Sequence, residues 1–234
     1  MTKANAKANA NTAQAESSPA VSRFIAQVYL VMSLGLVVTA LVAGWTTGNM
    51  NLMIRVATNP WLAWGLFILQ IIIVAALSGA VMRMNAGVAF LLFVLYAALT
   101  GVTLSTLFLV YTKEEIASVF WFTAGTFLLT SLVGLVTKRD LSGAGNVLLM
   151  LLIGWMLAWV VSWFFPSSGF NWALNFIGIA LFVGLTAYDT NRLKQIGAQV
   201  DSHPARGGLV VVGALALYLD FINLFLLLLR ASRR

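Results

Sequence analysis

The sequence lacks cysteine entirely and contains one histidine among its 234 residues. The absence of cysteine excludes disulfides, thiolate catalysis, and zinc or iron–sulfur sites that depend on cysteine ligands. The single histidine, His203, excludes a metal site built from several imidazoles. We therefore expect no cofactor and no resident transition metal.

Charge is scarce as well. Charged residues make up 9% of the chain and hydrophobic residues 61%, whereas a soluble domain carries about 25% charged residues. This composition predicts an integral membrane protein with no room for a large soluble domain. The net charge of +7 does not indicate nucleic-acid binding, because the lysines and arginines lie in short connections between apolar runs, where they set membrane orientation.

A polar tail precedes seven apolar runs. Residues 1–22 are predicted to be a disordered tail because they cannot bury enough apolar surface, which leaves residues 23–234 as one transmembrane domain. A transit peptide is a weak alternative, since the tail has little arginine. Each run has about 17–25 residues, the length of a spanning helix, and the period-two alternation of a membrane barrel is absent. The runs cover residues 24–45, 61–82, 87–111, 116–137, 147–165, 172–188 and 209–229.

Basic residues in the connections predict the orientation. Before the C-terminal tail, nine lysines and arginines fall on the N-terminal side of the membrane and two on the opposite side. Because the more basic side usually faces the cytoplasm, the N-terminus is predicted to be cytoplasmic. Arg230, Arg233 and Arg234 conflict with seven full crossings, and a re-entrant last segment would keep them inside. We favour seven crossings because the early helices usually dominate orientation. The nine are Lys3, Lys7, Arg23, Arg83, Lys138, Arg139, Arg192, Lys194 and Arg206, and the two are Arg55 and Lys113.

One full charge, Asp220, lies inside the last apolar run. A carboxylate near the centre of a membrane helix costs roughly 2.5 to 3.5 kcal/mol on insertion scales, and such a residue usually faces the bundle interior with a partner. The best candidate partner is Asp189, at the end of the preceding run. This arrangement predicts that the other helices form a container around the two aspartates.

Two carboxyl groups held together in a low dielectric cannot both ionise cheaply, so they tend to share one proton and titrate as a unit. Such a pair is a candidate pH sensor and gate, and its oxygens also suit a hard cation such as Ca²⁺. Arg83, at the end of the second run, would favour the ionised form. The remaining polar groups near this depth, which can supply hydrogen bonds, are Tyr188, Tyr218 and Asn223.

Structural interpretations of the same residues remain open. Asp189 is also explained as an interfacial residue paired with Arg192 or Lys194. Asp220 could serve packing alone, and Arg83 could be an orientation charge only.

An enzymatic alternative fails on its second motif. Intramembrane aspartyl proteases carry YD on one helix and GxGD on the next. Tyr188 and Asp189 match the first motif, but Leu217, Tyr218 and Leu219 precede Asp220. The proline-alanine-leucine element of these proteases is missing too. No other catalytic set or cofactor fingerprint is present, so we do not expect an enzyme.

Four stretches resemble the Bax inhibitor-1 family, in particular its bacterial members. The two most specific contain the aspartates, and the resemblance covers nearly all of the chain after residue 22. The stretches are TGVTLS (100–105), TKRDLSGAGN (137–146), GIALFVGLTAYDTNRLK (178–194) and LYLDFINLFLLLLR (217–230).

The resemblance implies an all-α membrane protein in which the C-terminal helix is central among six others. It implies a pH-sensitive calcium leak across the bacterial plasma (inner) membrane, with Asp189 and Asp220 as the sensor. Arg83 matches an arginine that contacts the pair in bacterial relatives, although its surroundings, MRMNAG, are less basic. Some members are known instead as regulators of a membrane protease. The alternative function is therefore a non-transporting protein that binds a membrane partner.

Overall fold

The computed structural model describes residues 19–81, 83–137, 141–165, 167–200 and 203–233, with Ser142 described by its backbone only. Within these ranges the chain is helical and contains no strand. The helices are α1 (Pro19–Thr47), α2 (Met50–Thr58), α3 (Pro60–Ala80), α4 (Ala86–Leu104) with a 3-10 turn (Ser105–Leu109), α5 (Lys113–Val136), α6 (Ser142–Phe164), α7 (Ser168–Gln199) and α8 (Arg206–Ser232).

Seven of the described helices are long and apolar enough to cross a membrane, namely all except α2. The predicted all-α fold with seven spans is confirmed. The apolar 18-residue stretch of α8 is 67% buried, against 6–33% for the corresponding stretches of the others. The C-terminal helix is thus the most buried of the seven, as expected for a central helix.

Helices α1, α7 and α2 differ from the predicted runs. Helix α1 begins at Pro19 rather than after residue 22, because proline is tolerated in the first turn, where its missing N–H is not needed. Helix α7 continues eleven residues beyond the predicted end at 188. Helix α2 lies in a connection that the apolar runs did not mark, because its nine residues are too few to span. Residues 1–18 of the predicted disordered tail, with Lys3 and Lys7, and the pair Lys138 and Arg139 lie outside the described residues.

Asparagines define several helix starts. Asn59 accepts hydrogen bonds from the backbone N–H groups of Trp61 (3.0 Å) and Leu62 (3.3 Å), and Asn85 accepts one from Gly87 (2.8 Å). These side chains satisfy amides that have no partner within the helix. Glu114 and Glu115 occupy the first turn of α5, where acidic side chains interact favourably with the helix dipole.

The chain forms two compact units. The first consists of the described part of Met1–Thr112 together with Gln195–Tyr218, and the second of Lys113–Lys194 together with Leu219–Arg234. Helices α7 and α8 each contribute to both.

In the first unit, α1 and α4 approach closely. A Cβ atom on Gly101 of α4 would lie 2.6 Å from the Thr39 carbonyl oxygen of α1. The Thr39 hydroxyl lies 2.9 Å from the Ala97 carbonyl oxygen and 2.6 Å from the Tyr218 hydroxyl. Small residues let membrane helices approach in this way, and the close approach brings hydroxyl groups within bonding distance.

In the second unit, aromatic side chains connect α8 to its neighbours. Phe221 of α8 packs edge-on against Phe120 and Phe127 of α5, with ring centroids 5.5 Å apart in both pairs. Trp155 of α6 packs against Phe182 of α7 at 5.7 Å, and its indole N–H donates to the Leu174 carbonyl oxygen at 2.8 Å. These contacts join α5 to α8, which carries Asp220, and α6 to α7, which carries Asp189.

Candidate functional site

The two predicted partners meet in the second unit. Asp189 of α7 and Asp220 of α8 lie within hydrogen-bonding reach of each other through their side chains. Asp220 is 5% exposed, whereas Asp189 is half-buried. An ionised carboxylate only accepts hydrogen bonds, so a bond between two carboxyl groups requires a proton. This geometry therefore suits a pair that holds one proton in common.

Asp189 has a second charged neighbour. The exposed Arg192, three residues further along α7, interacts electrostatically with the Asp189 carboxyl group. The sequence left Asp220, Arg192 and Lys194 open as partners for Asp189, and the structure places Asp220 and Arg192 beside it. Asp189 was predicted at a helix end, but it lies inside α7, whose polar continuation remains helical to Gln199. Within the pair, Asp189 is thus partly accessible and Asp220 is buried.

The supporting tyrosines lie in different units. The Tyr188 ring of the second unit packs on Gly145 of α6, where a Cβ would collide with the phenol oxygen. The Tyr218 ring of the first unit packs edge-on against Phe93 and Tyr96, with centroids 5.6 and 5.8 Å away. Tyr188 adjoins Asp189 in sequence but contacts α6, and Tyr218 is fully buried among aromatic rings and hydroxyl groups.

Asn223 and Arg83 were also predicted as supporting residues. The Asn223 amide donates to the Leu219 carbonyl oxygen of its own helix at 2.8 Å. Arg83 follows α3 in the first unit and its side chain is exposed. Their functional roles remain predictions.

A residue that sequence reasoning did not single out holds the site together. Asn191 is 3% exposed, and its amide donates to the carbonyl oxygens of Gly134 (3.1 Å) and Thr137 (3.4 Å). Its side-chain oxygen accepts from the Leu141 backbone N–H at 3.4 Å. Asn191 therefore ties the end of α5 and the start of α6 to α7, two residues beyond Asp189. The one sequence feature that could have indicated Asn191 is that it is a polar residue just past an apolar run. Arg192 and Lys194 share this feature, so it does not single out Asn191.

We expect Asn191→Ala to lower the free energy of unfolding by about 1–3 kcal/mol, because it leaves buried backbone groups without their partner. SDS-induced unfolding of the purified protein, followed by tryptophan fluorescence, measures this change. Asn223→Ala is the matched control, because among the described residues the Asn223 amide donates to Leu219 of its own helix. This substitution should shift stability by about 0.5 kcal/mol or less. Equal stability of the two variants would contradict the role of Asn191.

Comparison with known proteins identifies the chain's relatives. Residues 21–232 match the family described as "Inhibitor of apoptosis-promoting Bax1". The chain belongs to the Bax inhibitor-1 family. Its relatives include the "Inner membrane protein YbhL" of Escherichia coli (strain K12), which is 49% identical over 209 residues, covering 88% of this chain and 89% of the relative.

Two further relatives come from other bacteria. A protein of Deinococcus radiodurans is 42% identical over 209 residues, with 89% of each chain covered. A protein of Borreliella burgdorferi is 40% identical over 210 residues, covering 89% of this chain and 90% of the relative. The suspected family is thus confirmed. Together with the seven apolar helices, the comparisons support a multi-pass bacterial inner-membrane protein.

Proposed function

We propose that this Bax inhibitor-1 protein is a pH-sensitive calcium leak channel of the bacterial inner membrane, gated by the Asp189–Asp220 pair. The observation that carries the proposal is the carboxyl pair itself, formed between two membrane helices with Asp220 5% exposed. Ionisable groups at membrane depth mark ion pathways and proton relays. The pair either holds one shared proton or has lost it, and these two states differ in charge by one unit.

Gating follows from that charge difference. With one proton between them, Asp189 and Asp220 are hydrogen-bonded and hold α7 against α8, which keeps the path closed. Loss of the proton leaves two adjacent carboxylates that repel each other, and the repulsion separates the helices. Protonation thus favours the closed state, and cation flux rises with pH. Arg83 and Arg192 are positive charges that would oppose protonation, and we assign Arg83 the role of tuning the titration range.

The permeant ion follows from the ligand chemistry. Carboxylate oxygens are the ligands that Ca²⁺ prefers, and they bind it flexibly enough to release it. In the proposed orientation the N-terminus is cytoplasmic, so Asp189, near the polar end of the sixth span, faces the cytoplasmic side. Calcium would then run inward down its gradient when cytoplasmic pH rises.

Calcium flux into liposomes that hold the purified protein tests the proposal. We expect a leak that increases between about pH 6 and pH 8, the range in which a proton shared by such a pair would be lost. Liposomes without protein are the control for passive leakage. Folded, helical protein that gives no flux at any pH would overturn the proposal and direct the search to membrane partners, such as a protease that it regulates.

A further inference from the structure

The side chain of Tyr218 joins α8 to two other helices of the first unit. Its hydroxyl oxygen lies 2.6 Å from the hydroxyl oxygen of Thr39 on α1. It also lies within hydrogen-bonding reach of the Thr100 hydroxyl group on α4. Tyr218 is fully buried, and Thr39 and Thr100 are each 5% exposed. One phenol group thus connects three helices inside their apolar spans.

The directions of these hydrogen bonds follow from the number of protons. A threonine hydroxyl group has one proton, and a carbonyl oxygen only accepts. The Thr39 hydroxyl group donates to the Ala97 carbonyl oxygen of α4 at 2.9 Å, so the Tyr218 hydroxyl group donates to Thr39. The Thr100 hydroxyl group donates to the Tyr96 carbonyl oxygen at 2.9 Å. Removing the phenol oxygen alone therefore leaves both threonine protons with an acceptor.

The position of Tyr218 is closely defined. Its ring packs edge-on against Phe93 and Tyr96 of α4, with centroids 5.6 and 5.8 Å away. On the α1 side, a Cβ atom on Gly35 would collide with the Phe93 ring and lie 3.3 Å from Tyr218 Cδ2. Hydrogen bonds between hydroxyl groups extend over about 2.5–3.0 Å. A displacement of α8 away from α1 by about 1 Å therefore breaks the bond between Tyr218 and Thr39.

We infer that Tyr218 is a latch of the closed state: its hydroxyl group holds α8 against α1 and α4, and its hydrogen bonds break when the channel opens. The inference rests on the proposed gate and adds a positioning residue to it. Tyr218 and Asp220 lie two residues apart on one continuous helix, α8, so a displacement of Asp220 away from Asp189 also displaces the phenol group. The repulsion that opens the gate has to break the phenol's hydrogen bonds. Tyr218 thereby sets the pH at which the channel opens.

The latch itself does not titrate in the relevant range. The titratable side chain that packs on Tyr218 from α4 is Tyr96, whereas α1 presents the neutral Thr39. Tyrosine phenols remain protonated below about pH 10. Tyr218 therefore responds to pH only through the movement of α8.

The pH response is assigned to the Asp189–Asp220 pair. The charged neighbour of the pair, Arg192, keeps its charge at every pH tested. His203, in the exposed connection before α8, titrates between about pH 5 and pH 8. All proteins compared below therefore carry His203→Gln, and the protein with this substitution alone is called the parent.

Tyr218→Phe tests the latch without reference to calcium flux, because it removes the phenol oxygen and keeps the ring contacts. SDS-induced unfolding is measured at about pH 6 and pH 8. At pH 6, where the closed state predominates, the variant should raise the unfolding equilibrium constant roughly threefold to tenfold, the effect of one hydrogen bond. At pH 8 the bonds are already broken, and the difference from the parent should largely vanish. An equal loss of stability at both pH values would overturn the latch.

The gate should respond to the same change. In liposomes, Tyr218→Phe should lower the pH of half-maximal calcium flux by about 0.5–1 unit, because a closed state weakened threefold to tenfold opens at a higher proton concentration. A tyrosine that serves packing alone would leave this pH unchanged.

Thr39→Val removes the other partner of the bond on α1. It should shift the pH of half-maximal flux in the same direction, and the double variant with Tyr218→Phe should shift it no further than the larger single change, because both remove one bond. Fully additive shifts would contradict that shared bond. Thr46→Val is the matched control, because Thr46 is buried on α1 but donates to the Val42 carbonyl oxygen of its own helix at 2.8 Å. It should leave the flux profile unchanged.

The outcomes separate the latch from the leak. A parent protein that leaks calcium with the expected pH dependence, while Tyr218→Phe leaves the half-maximal pH unchanged, overturns the latch and leaves the leak standing. A stability loss in Tyr218→Phe that is confined to acidic pH, without calcium flux from the parent, supports the latch and overturns the leak. A stability loss that is equal at both pH values, without flux, overturns both.

Discussion

Replacing Asp220 by asparagine is expected to hold the calcium flux at its low, acidic level at every pH. Asparagine has the shape of a protonated aspartic acid and cannot ionise. Its NH₂ group can donate to the Asp189 carboxylate, so the hydrogen bond of the closed state is kept while the negative charge of the open state is lost. The wild-type protein, in contrast, should respond to pH with up to about a tenfold change in open population per unit, the limit for a one-proton switch.

The measurement is calcium flux in liposomes between about pH 6 and pH 8, with equal amounts of folded protein. Asp189→Asn should also lose the pH response, because a single remaining carboxyl group has no partner with which to share a proton. Glu114→Gln is the control: it removes an exposed carboxylate from the first turn of α5 and should leave the pH profile of the wild type intact. An unaltered pH profile in Asp220→Asn would rule out the aspartate gate.

Gly101→Ala is expected to lower the free energy of unfolding, because the added methyl group would collide with the backbone of a neighbouring helix. The added Cβ would lie 2.6 Å from the Thr39 carbonyl oxygen, 2.9 Å from Val42 Cβ and 3.2 Å from the Ala43 nitrogen. Two of these atoms belong to the backbone of α1, so no side chain can rotate away to make room. Helices α1 and α4 would have to move apart, and overpacking of this kind costs typically about 1–3 kcal/mol.

The separation would also reach the polar contacts of the first unit. The Thr39 hydroxyl group bonds across to the Ala97 carbonyl oxygen at 2.9 Å, and Ala97 lies one turn before Gly101. We therefore expect Gly101→Ala to lose stability both from overpacking and from a weakened hydrogen bond between Thr39 and Ala97. Gly125→Ala is the control, because no atom lies within 4 Å of its Cβ position and alanine is the better helix former by up to about 1 kcal/mol.

SDS-induced unfolding of both variants measures the difference, with circular dichroism to show that the starting material is helical. Gly101→Ala should unfold at a lower SDS fraction than the wild type, and Gly125→Ala at an equal or higher one. If the two glycine variants unfolded together, the close approach of α1 and α4 at Gly101 would be disproved.

The sequence by itself determined the membrane class, the seven spans and the family. Spanning length is a local property: about 20 apolar residues cross the bilayer whatever the rest of the chain does. The search for apolar runs of spanning length missed α2, because a nine-residue helix has no such run. It also misplaced the end of α7. Hydropathy marks where the apolar run stops at 188, whereas the helix continues to Gln199 because Asn191 and Leu193 are buried there against neighbouring structure.

Asp189 and Asp220 could be suggested as partners from the sequence because a charge inside a membrane helix is expensive and rare. The state of the buried Ser131 hydroxyl group of α5 could not be predicted in this way. Threonines on the same helix, such as Thr123, Thr126 and Thr130, donate to carbonyl oxygens one turn earlier in their own helix. A serine or threonine in a membrane helix is thus satisfied locally in most cases, and its presence in the sequence does not show whether its hydroxyl lacks a partner.

Only the tertiary structure showed that the Ser131 hydroxyl has no such partner among the described residues and that its helix face packs against α7 and α8. The same holds for Asn191, whose hydrogen bonds to Gly134, Thr137 and Leu141 span 50 to 57 positions of the sequence. Hydrogen-bond partners depend on which helices pack together and at what rotation. Packing of that kind arises from side-chain contacts between distant segments, so it is not encoded in the hydropathy of any one of them.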